Sequence, residues 1–137
     1  MKHEEYNIQK SVCQYLEIQF PDILFLSDTI ANVKLTMFQG ARNKAIQKDG
    51  FKCPDLLILQ PNTKFKGLFI ELKIKSPFKK NGELFKNEHL EGQQKAIDKL
   101  NELGYFACFS VGFDETKNVI DKYLSNKIYQ NPYLELI

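Results

Sequence analysis

Apolar residues recur along this chain first at helical and then at strand spacing. In residues 3–19, Tyr6, Ile8, Val12, Cys13, Tyr15, Leu16 and Ile18 fall mostly on one helix face, and Pro21 ends the run. Residues 23–27, ILFLS, read as a short strand, and 28–34 as a loop. Thr36 predicts the cap of a second helix reaching about residue 48, with Gly50 as its stop. Residues 56–59 are continuously apolar, as in a strand buried on both faces, and Pro54 suits a strand start, where its missing N–H costs least. Residues 68–75, LFIELKIK, alternate strictly. The polar, turn-rich stretch 61–67 suits a hairpin joining these two strands. A helix over about 91–103 carries Ala96, Ile97, Leu100 and Leu103 inward, and Gly104 closes it. Residues 105–111 read as a buried strand, and 114–125 as a helix with Val119, Ile120, Tyr123 and Leu124 inward. The tail from residue 127, ending YLELI, suits a sheet edge or a dimer contact. The pattern predicts a single α/β domain over 1–137, in αβαββαβα order, with a mixed β-sheet flanked by helices.

Charge changes the picture at two of these strands. Alternation places Phe69, Glu71, Lys73 and Lys75 on one face, opposite Leu68, Ile70, Leu72 and Ile74. Asp55 follows Pro54 at the start of the facing strand, and the hairpin returns it beside residues 71–73. To share a face with Glu71 it must stand opposite Glu71 or Lys73, and a one-residue change at the turn decides which. Two carboxylates and an ammonium suit a divalent metal and a phosphate, since Mg²⁺ needs only one or two carboxylates beside its waters. Such an ion acidifies a bound water and neutralises phosphate charge. Lys73 would then orient or deprotonate the water, or stabilise developing negative charge. Glu71 and Lys73 alone would better suit a surface pair on a solvated sheet face; the facing Pro-Asp reverses the reading towards a site.

Gln93 shares the inward face of its helix with Ile97 and Leu100, and a glutamine there needs a partner, which Lys73 or a water would supply. Glu4 and Glu5 also suit the positive N-terminus of the first helix. The net charge of +2 excludes global basicity, and Arg42 is the only arginine among 19 cations. Basic charge is local instead: Arg42, Lys44 and Lys48 on the second helix, Lys52 beyond it, and Lys75, Lys79 and Lys80 after the charged strand. These residues suit phosphate contacts as well as a solvated face, and Phe78 among them suits a base or sugar. Pro77 and Gly82 mark that segment as a mobile loop. Cys13, Cys53 and Cys108 lack zinc-ligand spacing, and an odd count fits free thiols in a reducing cytoplasm. His3 and His89 carry no signature of cysteine catalysis. No apolar run approaches the roughly 20 residues of a membrane span.

At these residues the chain resembles the PD-(D/E)XK nuclease superfamily, and more narrowly the virus-type replication-repair nuclease domain, VRR-NUC, in its small stand-alone phage and bacterial form. The resemblance runs through EEYNIQKSVCQYL, KDGFKCPDLLIL, KGLFIELK and QQKAIDKLNELGY to the final strand and helix. It implies a restriction-endonuclease-like core, dependence on Mg²⁺ with Mn²⁺ as substitute, and endonuclease action on DNA. Some relatives cut four-way junctions. By resemblance, Asp55 and Glu71 match the metal-binding acids, the Leu72 carbonyl a further ligand, and Lys73 the catalytic lysine. Gln93 matches a glutamine eleven residues before the Gly104-Tyr105 pair. Glu5 matches the first-helix acid that assists the metal, through E-x-x-I-Q with Ile8 and Gln9, and Glu4 is its rival. Cys53 departs from the small residue that often precedes the Pro-Asp. The expectation is a Mg²⁺-dependent DNA endonuclease of viral or mobile-element replication or repair, acting on a flap or four-way junction. A homodimer would suit a two-fold junction. The alternatives are a non-cleaving nucleic-acid-binding module, or a nuclease for single-stranded DNA or RNA.

Overall fold

The computed structural model of the protein describes residues 2–27 and 35–127. In chain order its elements are α1 (Lys2–Gln19), β1 (Phe25–Ser27), α2 (Met37–Ala45), β2 (Leu56–Ile58), β3 (Leu68–Lys73), α3 (Glu88–Glu102), β4 (Phe106–Val111) and α4 (Gly112–Leu124). This is the order that the hydrophobic pattern predicts. The expected loop at 28–34 and the apolar tail from 128 lie outside the described residues. No helix among the described residues is long and apolar enough to cross a membrane.

The four strands form one mixed sheet in the order β1-β2-β3-β4. β1 and β2 pair antiparallel, as do β2 and β3, while β3 and β4 pair parallel. A short turn suffices for the first kind of pairing, whereas the parallel pair needs a crossover, which α3 supplies. Val12 and Leu16 of α1 and Ile120 and Tyr123 of α4 pack with Leu68, Ile70 and Leu72 on one sheet face. Ile97 and Leu100 of α3 pack with Phe69, Ala107 and Phe109 on the other. Both faces of β3 are therefore covered, and Lys73 is its one partly exposed residue. The alternation in LFIELKIK separates two packed faces, not a dry face from a wet one. The strand also stops at Lys73, so Ile74, expected to continue the face of Leu68, Ile70 and Leu72, is 44% exposed.

Local chemistry sets the element ends. Thr36 and Gln39 close a capping box on α2, which ends at Ala45, short of the expected residue 48. α2 buries none of its residues, so capping supports it more than packing does. Asn87 caps α3 by accepting from the Leu90 N–H, which starts the helix at Glu88, ahead of the expected residue 91. Leu103 then becomes the C-cap and is half exposed, and Gly104 turns the chain at φ 99°. In the β2–β3 turn, Asn62 accepts from the N–H groups of Lys64 and Phe65. The Tyr123 hydroxyl donates to the Gln60 carbonyl, so α4 ties the turn down. The segment after β3, expected as a mobile loop, is a small hairpin. Phe78 and Leu84 form an antiparallel bridge, and the N–H groups of Lys79 and Phe85 donate to the carbonyls of Glu83 and Pro77.

Asn101 joins α3 to β4 by donating to the Ala107 carbonyl at 3.0 Å and accepting from the Ala107 N–H at 2.8 Å. Asn101→Ala removes both of these hydrogen bonds from a buried strand residue, and the expected cost is about 2 kcal/mol. Urea denaturation checks this; a midpoint equal to that of the unsubstituted protein would refute the clamp.

Candidate active site

The β2–β3 register pairs Leu56 with Ile70, Leu57 with Phe69 and Ile58 with Leu68. Continued one residue past β2, it sets Asp55 across from Glu71, which answers the register question that the sequence leaves open. Asp55 Oδ2 accepts from the Leu72 N–H at 2.9 Å, so backbone as well as register orients this carboxylate. Glu71 is only 5% exposed and is hydrogen-bonded to Asp55. Burial pushes its carboxyl up, to about 10; the hydrogen bond and charge of Asp55 push the same way, and the Lys73 ammonium opposes them.

Lys73 projects from the end of the same strand face, where its Nζ donates to Gln93 Oε1 at 2.7 Å and lies 5.7 Å from the centre of the Phe109 ring. The partner expected for the inward glutamine is thus Lys73. An ammonium only donates, so Oε1 must face Lys73, and the amide nitrogen faces His89 Nε2 at 3.2 Å. Lys52 Nζ lies 3.4 Å from Nδ1 and is likewise a donor only. A neutral imidazole has one acceptor nitrogen, so it accepts from Gln93 or from Lys52 according to its tautomer. Burial, then the charges of Lys52 and Lys73, hold the His89 pKa below its ordinary value. Lys52 reaches this point across Gly92, where an added Cβ would meet its Nζ at 3.0 Å. The sequence reading assigns His89 nothing; the legible signal is its place one helical turn before Gln93.

Glu5 and Glu4 part company. Glu4 is exposed, whereas Glu5 is half-buried on the wall of a cleft beside Lys73. Burial raises the Glu5 pKa, Asp55 adds to the rise, and Lys73 opposes it. Glu5 stands within electrostatic reach of the carboxylate pair without joining it: among the described residues, no three His, Cys, Asp or Glu side chains converge as a metal cluster. A hard cation needing two carboxylates and a backbone carbonyl fits this donor set, because its charge would offset the cost that burial and the Asp55 charge place on the Glu71 carboxylate. The remaining cationic candidates are dispersed. Arg42 and Lys44 are exposed on α2; Lys52, Lys75, Lys79 and Lys80 are exposed as well, with Lys52 beside His89 and Lys75 on the cleft. Phe78, expected to be open to a base or sugar, instead packs edge-on against Phe109 at 5.8 Å.

The architecture has a known counterpart. A solved structure described as a "VRR_NUC domain protein" superposes with a TM-score of 0.61, at 19% sequence identity, over 92% of this chain and 95% of that one. The mixed four-stranded sheet with flanking helices is thus the fold of that VRR_NUC domain structure. No family model and no curated protein matches the sequence.

The Glu71 environment makes a test of the pair. Its folded-state pKa lies above the ordinary 4.5, so its contribution to stability is full below that value and is lost as pH rises towards about 10. In chelator, the melting temperature should fall between about pH 5 and pH 9, inside that window. Glu71→Gln keeps the shape and removes the charge. It should flatten this decline and raise the melting temperature near pH 8 by a few degrees, at about 4 °C per kcal/mol. An unchanged slope in the variant would place the pH dependence elsewhere.

Proposed function

We propose that the protein is a divalent-metal-dependent nuclease that hydrolyses phosphodiester bonds in DNA. The observation that carries this reading is the buried Glu71 carboxyl paired with Asp55, with the Lys73 ammonium held by Gln93 at the same strand end. An acid in that position is unfavourable for folding, and a site that binds a cation and a phosphate accounts for it. The fold supports the reading, as that of a VRR_NUC domain protein.

Mg²⁺, or Mn²⁺ in its place, would be held by Asp55 and Glu71, with the Leu72 carbonyl as backbone ligand and Glu5 assisting from the cleft wall. When bound, the ion supplies neutralisation of phosphate charge and a more acidic water. Asp55 keeps its orientation through the Leu72 N–H, and Glu71 enters the reaction as a carboxylate. Lys73 spends one N–H on Gln93 Oε1 and has others for a phosphate oxygen, where negative charge grows as the bond breaks. Gln93 acts through Lys73 as a positioning residue. Lys52, Lys75, Lys79 and Lys80, with Arg42 and Lys44 of α2, would contact flanking phosphates, so binding should weaken with salt. A homodimer would offer two such sites to a branched DNA, and three thiols suit a reducing cytoplasm.

The test is cleavage of supercoiled plasmid, flap and four-way-junction DNA with Mg²⁺, Mn²⁺ or chelator. Cleavage should need the ion, and Lys73→Ala should slow it on the order of 10²- to 10³-fold. Nicking that survives chelator or the Lys73 substitution would overturn the reading.

A further inference from the structure

We propose that the cleft beside Lys73 receives one unstacked nucleobase of the substrate strand, stacked on Phe85, next to the phosphate held at the carboxylate pair. The inference rests on the nuclease reading and names the form of DNA that the site takes. The cleft has a volume of about 770 Å³, in the range of sites that enclose small ligands. Its apolar lining includes Ile74, Pro77, Phe85 and Leu90, and its cations are Lys73, Lys75 and Lys86. A flat apolar ligand with anionic neighbours matches that lining, and a nucleotide is such a ligand.

Two details select Phe85 as the platform. Phe78 also lines the cleft, but its ring is packed against Phe109. Phe85 is 47% exposed, and its backbone is fixed where its N–H donates to the Pro77 carbonyl at 2.9 Å. The bridge between Phe78 and Leu84 holds the same hairpin, so the ring stands on an ordered support. Ile74, 44% exposed, adds a second uncovered apolar side chain to the cleft. Paired bases in a regular duplex are stacked around the axis and offer this cleft only backbone. Filling it takes a base out of the stack, which is least costly where the base is already unpaired. The site should therefore favour DNA with an unpaired nucleotide beside the scissile phosphate over continuous duplex.

The experiment uses three DNA duplexes alike except at one position: fully paired, carrying one unpaired 2-aminopurine, or carrying an abasic residue there. Binding is read by anisotropy and 2-aminopurine fluorescence in chelator, and cleavage in Mn²⁺. The unpaired-base duplex should bind about tenfold more tightly than the other two, as base–aromatic stacking supplies, and its 2-aminopurine fluorescence should change as the base leaves its neighbours for Phe85. Phe85→Ala should lose the tighter binding and alter the fluorescence of the complex, and Phe85→Tyr should keep the tighter binding; thermal melting checks that each variant folds. Equal binding of all three duplexes, or an advantage of the unpaired base that Phe85→Ala keeps, overturns the inference. Equal cleavage of all three with equal binding sinks the base site and leaves the nuclease reading standing. A Phe85-dependent advantage of the unpaired base without cleavage of any DNA sinks the nuclease reading and leaves the base site.

Discussion

The structure depends on a carboxyl group that its surroundings do not want ionised. Glu71 lies in β3, the strand with helices packed on both faces, and water reaches it poorly. Burial there raises the cost of its negative charge, and Asp55 across the ladder raises it further. Aliphatic residues before and after it in β3 contribute the usual stabilisation of apolar burial, whereas Glu71 opposes it. A fold that keeps such a residue in its central strand bears the cost of ionising it there, which a nearby positive charge offsets.

The rest of the site follows from where β3 ends. Lys73 is the last residue of the strand and its one partly exposed member, so its ammonium leaves the sheet on the same face as Glu71. Gln93 meets it from α3, the helix that the parallel β3–β4 pairing requires. The polar contacts then run from Lys73 through Gln93 to His89, and the direction of the first is set because an ammonium can only donate. The crossover helix thus both covers one sheet face and holds the lysine. Past Lys73 the chain leaves the sheet and folds into the small hairpin, which places Phe85 and Lys86 on the cleft.

Much of the architecture was legible because periodicity reports burial. The order of elements, the inward Gln93, Ala96, Ile97 and Leu100 of α3 and Val119, Ile120 and Tyr123 of α4, and the shared face of Glu71 and Lys73 follow from spacings of two and 3.6, while Leu103, also read as inward, is the exposed C-cap. Element ends were less legible, since they turn on single caps: Asn87 moved the start of α3, and α2 ended near Ile46. The alternation in β3 was read correctly as two faces, but apolar content alone did not tell that the face bearing Phe69 and Glu71 is also covered. That cover comes from α3, more than a dozen residues further along. Phe78 and Phe85 show the same limit, because which aromatic ring is packed and which is open depends on where Phe109 lies.

The sequence by itself determined which residues make up the candidate site: a Pro-Asp, a Glu-x-Lys on one strand face, and a glutamine on an inward helix face, in an α/β order. It determined them because side-chain direction along a strand or helix is a local property of the backbone. Tertiary structure decided that Asp55 stands opposite Glu71, that Glu5 and not Glu4 faces the cleft, and that His89 stands behind Gln93. It also decided that of the two phenylalanines on the cleft, Phe78 is packed and Phe85 is open. Each of these depends on register or packing between segments distant along the chain, and no local spacing specifies that.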